Sequence, residues 1–217
     1  MKVAVIGSGF TGGPIIAEGL QRGHEITVLV RSPEKVPAHE RQTVVKVDVL
    51  ETQMLARGLR GHDVLINAWS PGRGLIATDL FEQFVTGYRS IIAAAKLAGV
   101  QRFLAVGGAA SLQTPAGVEF IDSDQWPQEF EPYREGVRGT REQYYLLKQE
   151  PDLDWVFLSP SVMLLPGERT GRYRVGTDQV LYDTDGVSRI SLADYAKAMI
   201  DELTAPAHHR ERFTVGY

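Results

Sequence analysis

The sequence predicts an α/β fold, a doubly wound parallel sheet with helices on both faces. Three observations carry that expectation. Val3-Ala4-Val5-Ile6 is apolar at every position, similar short runs recur along the chain, and helical segments lie between them. A strand exposed on one face would alternate apolar with polar residues. An unbroken apolar run suits a strand covered on both faces, as in a parallel sheet. Strands alternating with helices then imply right-handed βαβ units.

The first strand spans residues 3–6. Glycines follow, then a helix over 14–21, where Pro14 suits a first turn and Gly23 a helix stop. Further strands are expected over 26–30, 44–47, 63–66, 103–106 and 155–158. Leu80, Phe84, Tyr88, Ile91 and Ala95 recur at three- and four-residue steps and give one apolar helix face. Asp79 with Glu82 is expected to cap that helix, and Gly99 to end it. Two more helices are expected over 138–149 and 192–203, the latter with Ser191 as N-cap. Residues 111–135 and 160–190 break the rhythm, and irregular stretches of this kind usually form the substrate side of such a sheet.

Length and composition bound the function. The 217 residues suit one domain. Lys and Arg number 23 against 27 Asp and Glu, a net charge of −4, which lacks the basic footprint of a nucleic-acid binder. With no Cys, disulfides, thiolate zinc sites and cysteine nucleophiles are excluded. No apolar run approaches the roughly 18 residues of a membrane span, and the opening run is too short for a secretory signal. A soluble, cytoplasmic protein is the expectation.

Gly7-Ser8-Gly9-Phe10-Thr11-Gly12 matches G-x-G-x-x-G. It follows an all-apolar strand and opens a helix, which is the context a dinucleotide-binding loop requires. Gly7 permits the tight turn, Gly9 lets the backbone approach a pyrophosphate, and Gly12 lets helix pack on strand. The helix N-terminus offers free N–H groups to an anion. At the end of the second strand an acidic residue would bond the ribose hydroxyls of NAD. Val30-Arg31-Ser32 stands there instead, with Lys35 nearby, so Arg31 is placed to pair with a 2′-phosphate. NADP(H) is therefore favoured over NAD(H). Asp48 and Val49 are placed to meet the adenine ring. Asn67-Ala68-Trp69, Gly107-Gly108 and Pro160 follow the fourth, fifth and sixth strands, on the edge where such sheets bind ligands.

The glycine loop, Arg22-Gly23-His24-Glu25, the Val-Arg pair and Val106-Gly107-Gly108-Ala109 together resemble the atypical short-chain dehydrogenase/reductases. Within them the chain looks most like the small NAD(P)H-binding, NmrA-like group, whose labels include NADH-flavin reductase and NAD-dependent epimerase/dehydratase. Residues 159–174 and 190–196 carry the closest likeness, and flavin/biliverdin reductase B is a more distant relative. The resemblance implies a Rossmann-like fold. Two departures stand out. The family loop usually reads G-A-T-G-x-x-G, one residue longer than here. Ordinary reductases of the superfamily also donate a proton through Ser and Tyr-x-x-x-Lys. Ser111 matches the serine and Tyr133 is the candidate tyrosine, but Val137 stands four residues on and Arg138 five. Tyr144 and Lys148 satisfy the spacing deep in an expected helix, and read as a surface pair.

Reducing a carbonyl needs a proton donor, whereas a flavin stabilises its own negative charge. The residues therefore suit a small-molecule acceptor of flavin or quinone type. A non-catalytic NADP(H) sensor and a nucleotide-sugar epimerase/dehydratase are the alternatives. Met163, Leu164 and Leu165 could wall a flat ring, and Arg169 could meet an anionic acceptor or serve as a structural ion-pair partner. The five histidines lack metal-ligand spacing and are expected in solvated loops.

Overall fold

The computed structural model describes residues 1–72 and 79–217. In chain order the elements are β1 (Lys2–Ile6), α1 (Gly12–Gln21), β2 (Glu25–Val30), β3 (Gln42–Lys46), α2 (Thr52–Leu59), β4 (Val64–Asn67), α3 (Leu80–Ala98) and β5 (Arg102–Val106). There follow α4 (Arg134–Lys148), β6 (Asp154–Pro160), β7 (Met163–Leu165), β8 (Arg174–Gly176), β9 (Arg189–Ser191), α5 (Leu192–Thr204) and β10 (Glu211–Gly216). The main sheet runs β3-β2-β1-β4-β5-β6-β10-β8. All its pairs are parallel except β10 with β8. β7 and β9 pair separately. The first six strands have the order of a doubly wound, Rossmann-like sheet, and the direction of winding reverses between β1 and β4.

The apolar run in β1 has a direct physical cause. Successive side chains point to opposite faces. Val3 and Val5 enter the core built with Ile15, Tyr195 and Met199 of α1 and α5. Ala4 and Ile6 enter the core built with Leu55, Tyr88 and Ile91 of α2 and α3. Both faces are dry, so no position in the run tolerates a polar residue. Each large apolar side chain buried this way stabilises the fold by roughly 1.5–3 kcal/mol.

The expected boundaries shift in places. α1 starts at Gly12, before Pro14, because the helix grows directly out of the glycine turn. α4 starts at Arg134, after a 3₁₀ segment, Gln128–Tyr133. Its glycines are packing devices: a Cβ on Gly139 would sit 2.5 Å from Phe84 Cδ2. Gly99 ends α3 in the left-handed region as expected, at φ 78°. Asp79 does not cap with its side chain; its ψ of 11° departs from the extended N-cap geometry that aims a carboxylate at the helix N–H groups. Ser191 does cap α5, accepting from the Asp194 N–H at 3.0 Å.

α2 and β10 lie outside the elements read from the sequence. α2 is short and buries only Leu55, Ala56 and Leu59. In β10 the buried Arg212 and Thr214 interrupt the apolar pattern. Among the described residues no helix is long and apolar enough to cross a membrane.

Candidate cofactor site

A cleft of about 640 Å³ opens at the carboxyl ends of β1, β2, β4 and β5. Gly7, Ser8, Gly9, Phe10 and Thr11 form its floor. Gly7 adopts φ 90°, and a Cβ there would meet the Ala68 carbonyl oxygen at 2.7 Å. A Cβ on Gly12 would meet the Gly7 carbonyl oxygen at 2.2 Å. These two glycines therefore let the β1 loop, the β4 loop and α1 close on one another. Gly9 differs, because a Cβ there would have nothing within 4 Å. The first turn of α1 holds no acidic residue and Thr11 makes no side-chain cap. An open glycine beside an uncapped helix start is a fitting seat for a pyrophosphate.

Arg31, Ser32 and Lys35 line the cleft past the end of β2. Arg31 Nη2 donates to the Pro71 carbonyl at 3.2 Å, which holds the guanidinium across to the β4 loop. Trp69 forms a wall. Its ring meets Phe84 and Tyr88 edge-on, at centroid distances of 6.1 and 5.7 Å. Gly87 makes room for it, since a Cβ there would lie 2.1 Å from Trp69 Cη2. Val49 and Ala68 line the same cleft. Asp48 lines an adjoining recess of about 300 Å³ with Leu50 and Pro71. Its Oδ1 accepts from the Leu50 N–H at 3.0 Å.

The opposite end of the cleft is formed by Val106, Gly107, Tyr88, Thr140, Val162 and Leu164. Burial pushes the Tyr88 hydroxyl well above the ordinary tyrosine range. Thr140 of α4 lies against Gly108, where an added Cβ would stand 3.1 Å from its Cγ2. No carboxylate or lysine lines this end among the described residues.

Several expected site residues stand elsewhere. Asn67 is 1% exposed and its Oδ1 accepts from the Trp69 N–H at 3.2 Å, shaping the loop rather than lining the cleft. Gly12 is buried inside the start of α1. Gly108 packs against the Thr140 methyl, and Pro160 is buried at the end of β6 against Val215. Ser111 and Tyr133 do not form a facing pair. Ser111 is 2% exposed and accepts from Arg212 Nη1 at 2.8 Å, while Tyr133 is 55% exposed just before α4. The candidate catalytic pairing is corrected accordingly: one hydroxyl is consumed by a buried guanidinium and the other faces outward. No residue of 111–135 lines the cleft. That segment is pinned instead by Arg212, which also binds Asp178 at 2.9 Å, and by Arg141 on Glu119 at 2.9 Å. Tyr144 packs on Phe157 and carries Lys148 over its ring, also away from the cleft.

The segment after β6 divides. Val162 and Leu164 reach the cleft, whereas Met163, alternating with them, does not. Arg169 is turned to the other side of the sheet and binds Glu18 of α1 at 2.8 and 2.9 Å. An acceptor-binding role for Arg169 is therefore replaced by the structural ion pair. Asp194, fully buried, fixes the same loop by accepting from Thr170 Oγ1 at 2.6 Å, the Gly171 N–H at 2.8 Å and Tyr217 Oη at 2.8 Å. Burial works to raise the Asp194 pKa, but the bonds from Thr170, Tyr217 and Gly171 prevail and hold it below the usual range. A depressed carboxyl stabilises above its unfolded pKa of about 4 and loses that contribution as pH falls through the folded value. Urea melts should thus show Asp194→Asn less stable than wild type by roughly 1–3 kcal/mol at pH 6, with the gap narrowing towards pH 3.

His39 and His209 are exposed as expected, but His24 and His208 are not. His24 is 8% exposed, and His208 stacks on Phe213 at 4.2 Å while bonding Glu202 at 2.7 Å. Among the described residues no group of three or more His, Asp or Glu is arranged to hold a metal. Tyr88, Thr140 and Val162 are among the cleft residues that sequence reasoning passed over. Tyr88 was legible only as core, and a threonine inside a helix gives no signal by itself.

Comparison with known proteins gives a consistent picture. A family model described as NAD(P)H-binding matches residues 7–203. The chain is 36% identical to YwnB of Bacillus subtilis, a protein of uncharacterized function, over 99% of this chain and 98% of that one. A solved structure from Bacteroides thetaiotaomicron, provisionally named an epimerase, is 42% identical with a TM-score of 0.89, covering 100% of this chain and 96% of the other. Another, from Streptococcus pneumoniae and provisionally named an NADH-flavin reductase, is 32% identical with a TM-score of 0.85, covering 100% and 99%.

Proposed function

From a chain that belongs to the NAD(P)H-binding family, we propose an oxidoreductase that passes hydride from NADPH, in preference to NADH, to a flat acceptor of flavin or quinone type. When bound, the reduced nicotinamide supplies the hydride. The residues do the rest. Gly9 and the start of α1 receive the pyrophosphate, and Arg31 with Lys35 faces the 2′-phosphate. Val162 and Leu164 offer an apolar wall to a planar ring.

One observation carries the choice of acceptor. Among the described residues, the end of the cleft away from Arg31 holds two hydroxyls, Tyr88 and Thr140, and no acid–base pair. Thr140 is the α4 side chain that reaches the cleft, and the Tyr144–Lys148 pair of the same helix lies away from it. A threonine hydroxyl is too weak an acid to protonate an alkoxide, and burial makes Tyr88 weaker than an ordinary tyrosine. A flavin or quinone takes the hydride without a protein acid and collects its proton from solvent. The same absence speaks against sugar epimerisation or dehydration, which needs a base in the site. The likeness to the flavin-reductase-named structure supports the reading.

The test is steady-state oxidation of NADPH and NADH by the purified protein with FMN, riboflavin and menadione. Turnover with at least one of these, and a higher kcat/KM for NADPH, is expected. Tight NADPH binding with no turnover on any of them would replace the enzyme with a redox sensor.

A further inference from the structure

Two largely irregular stretches, residues 111–123 after β5 and 177–183 after β8, meet each other. The Gln113 N–H donates to the Asp178 carbonyl at 2.7 Å, and the Val180 N–H to the Gln113 carbonyl at 2.9 Å. Leu112, Phe120 and Val180 form a small core of their own at this junction, and Val162 packs against it. Val162 also lines the cleft at the end assigned to the acceptor. The wall that a planar ring meets there is thus backed by the junction of the two stretches.

A single side chain grips both. Arg212 of β10 is 6% exposed and points away from the core that takes its neighbours Phe213 and Val215. Its Nη1 donates to the Ser111 carbonyl at 2.9 Å and to Ser111 Oγ at 2.8 Å, and its Nε donates to Asp178 Oδ1 at 2.9 Å. The Tyr144 ring lies over the guanidinium, 4.3 Å away. Ser111 adjoins Leu112 of the small core, and Asp178 carries the carbonyl that Gln113 binds. A buried ion pair is a poor source of stability, because desolvation offsets the attraction and apolar residues often serve as well. What the guanidinium adds is direction, since its rigid planar fork holds two partners at a set angle.

We infer that Arg212 is a positioning residue for the acceptor: by holding Ser111 and Asp178 together it fixes the junction behind Val162, and with it the wall against which the acceptor ring lies. The inference rests on the acceptor reading above and concerns no residue that meets the cofactor. It gives the serine after β5 a partner in β10 in place of a proton to donate.

Arg212→Lys keeps the charge and loses the fork. Asp178→Ala opens one arm of the clasp at a half-exposed side chain, and carries the test should the lysine variant not fold. Amide hydrogen exchange, NADPH binding by calorimetry and steady-state oxidation of NADPH by menadione are measured on each. Exchange at Gln113 and Val180 should quicken about tenfold or more as the junction opens, while β1 and β4 keep their wild-type rates. NADPH affinity should stay within about twofold, and kcat/KM for menadione should fall about tenfold or more, because a small misplacement of a positioning wall is costly to turnover. Faster exchange with unchanged menadione kinetics would overturn the inference. So would unchanged exchange, or a loss of NADPH affinity in step with kcat/KM, which a general loosening of the fold predicts. The acceptor reading stands in each of these cases. Failure of the unaltered protein to oxidise NADPH with menadione, FMN or riboflavin would overturn both.

Discussion

Gly9→Val is expected to abolish NADPH binding in a protein that remains folded. The argument is geometric. A Cβ on Gly9 points into space with no heavy atom within 4 Å, and Gly9 is not among the glycines with positive φ. A valine there strains nothing and displaces no neighbour. An exposed substitution of this kind should change stability by no more than about 0.5 kcal/mol. The same empty space is the seat that the uncapped start of α1 offers to a pyrophosphate, so the branched side chain stands where the ligand must go. Fluorescence titration should show at least a hundredfold weaker NADPH binding, since a steric block at the pyrophosphate leaves no alternative pose with both ends engaged. Thermal melts without ligand should coincide with wild type. Binding within tenfold of wild type would mean that the pyrophosphate lies elsewhere. Gly12, three residues on, shows the contrast: its missing Cβ faces the Gly7 carbonyl at 2.2 Å, so that glycine serves the loop's own closure.

What was legible in the sequence follows the same division between local and long-range causes. The inner strands were readable because burial on both faces imposes a nearly unbroken apolar run, and β1 and β4 show it at every inner position, whereas the edge strand β3 is only half-buried and was read from its valines. The glycine loop was readable because close backbone approach leaves no other residue type. Partners supplied from far along the chain were not readable. Arg169 and Glu18 are 151 residues apart, and Arg212 and Ser111 are 101 apart. No local pattern announces that either arginine will be held by distant groups of the chain rather than by a ligand. Met163 and its neighbours failed for a smaller reason. Alternation along a short strand decides which side chains reach the cleft, and the strand's phase was set by its pairing with β9. Thr140 escaped notice because a threonine inside a helix carries no signal until the fold brings it to the cleft.

Arg31→Glu is expected to reverse cofactor preference. Arg31 follows the last residue of β2, lies exposed at the mouth of the cleft, and is steadied by the Pro71 carbonyl at 3.2 Å. No acidic residue ends β2 to hold a ribose diol, and Lys35 adds a second positive charge to the same corner. A guanidinium on a phosphate is a charge-assisted pair, contributing about 1.5–3 kcal/mol, or about ten- to a hundredfold in affinity. Glutamate removes that pair and sets a like charge against the 2′-phosphate, so NADPH binding should fall by at least that factor. For NADH the carboxylate can accept from both ribose hydroxyls, so its affinity should hold or rise. The bond to Pro71 is lost for both cofactors alike, which makes the ratio of the two dissociation constants the informative quantity. Raising the salt concentration should weaken NADPH binding to the wild type and should weaken it less, or strengthen it, in the variant, because there the charge at position 31 repels the phosphate and salt screens that repulsion. Equal losses for NADPH and NADH would show instead that Arg31 only braces the β4 loop through Pro71. The choice of cofactor would then fall to Lys35 and Ser32, the other polar residues lining that corner.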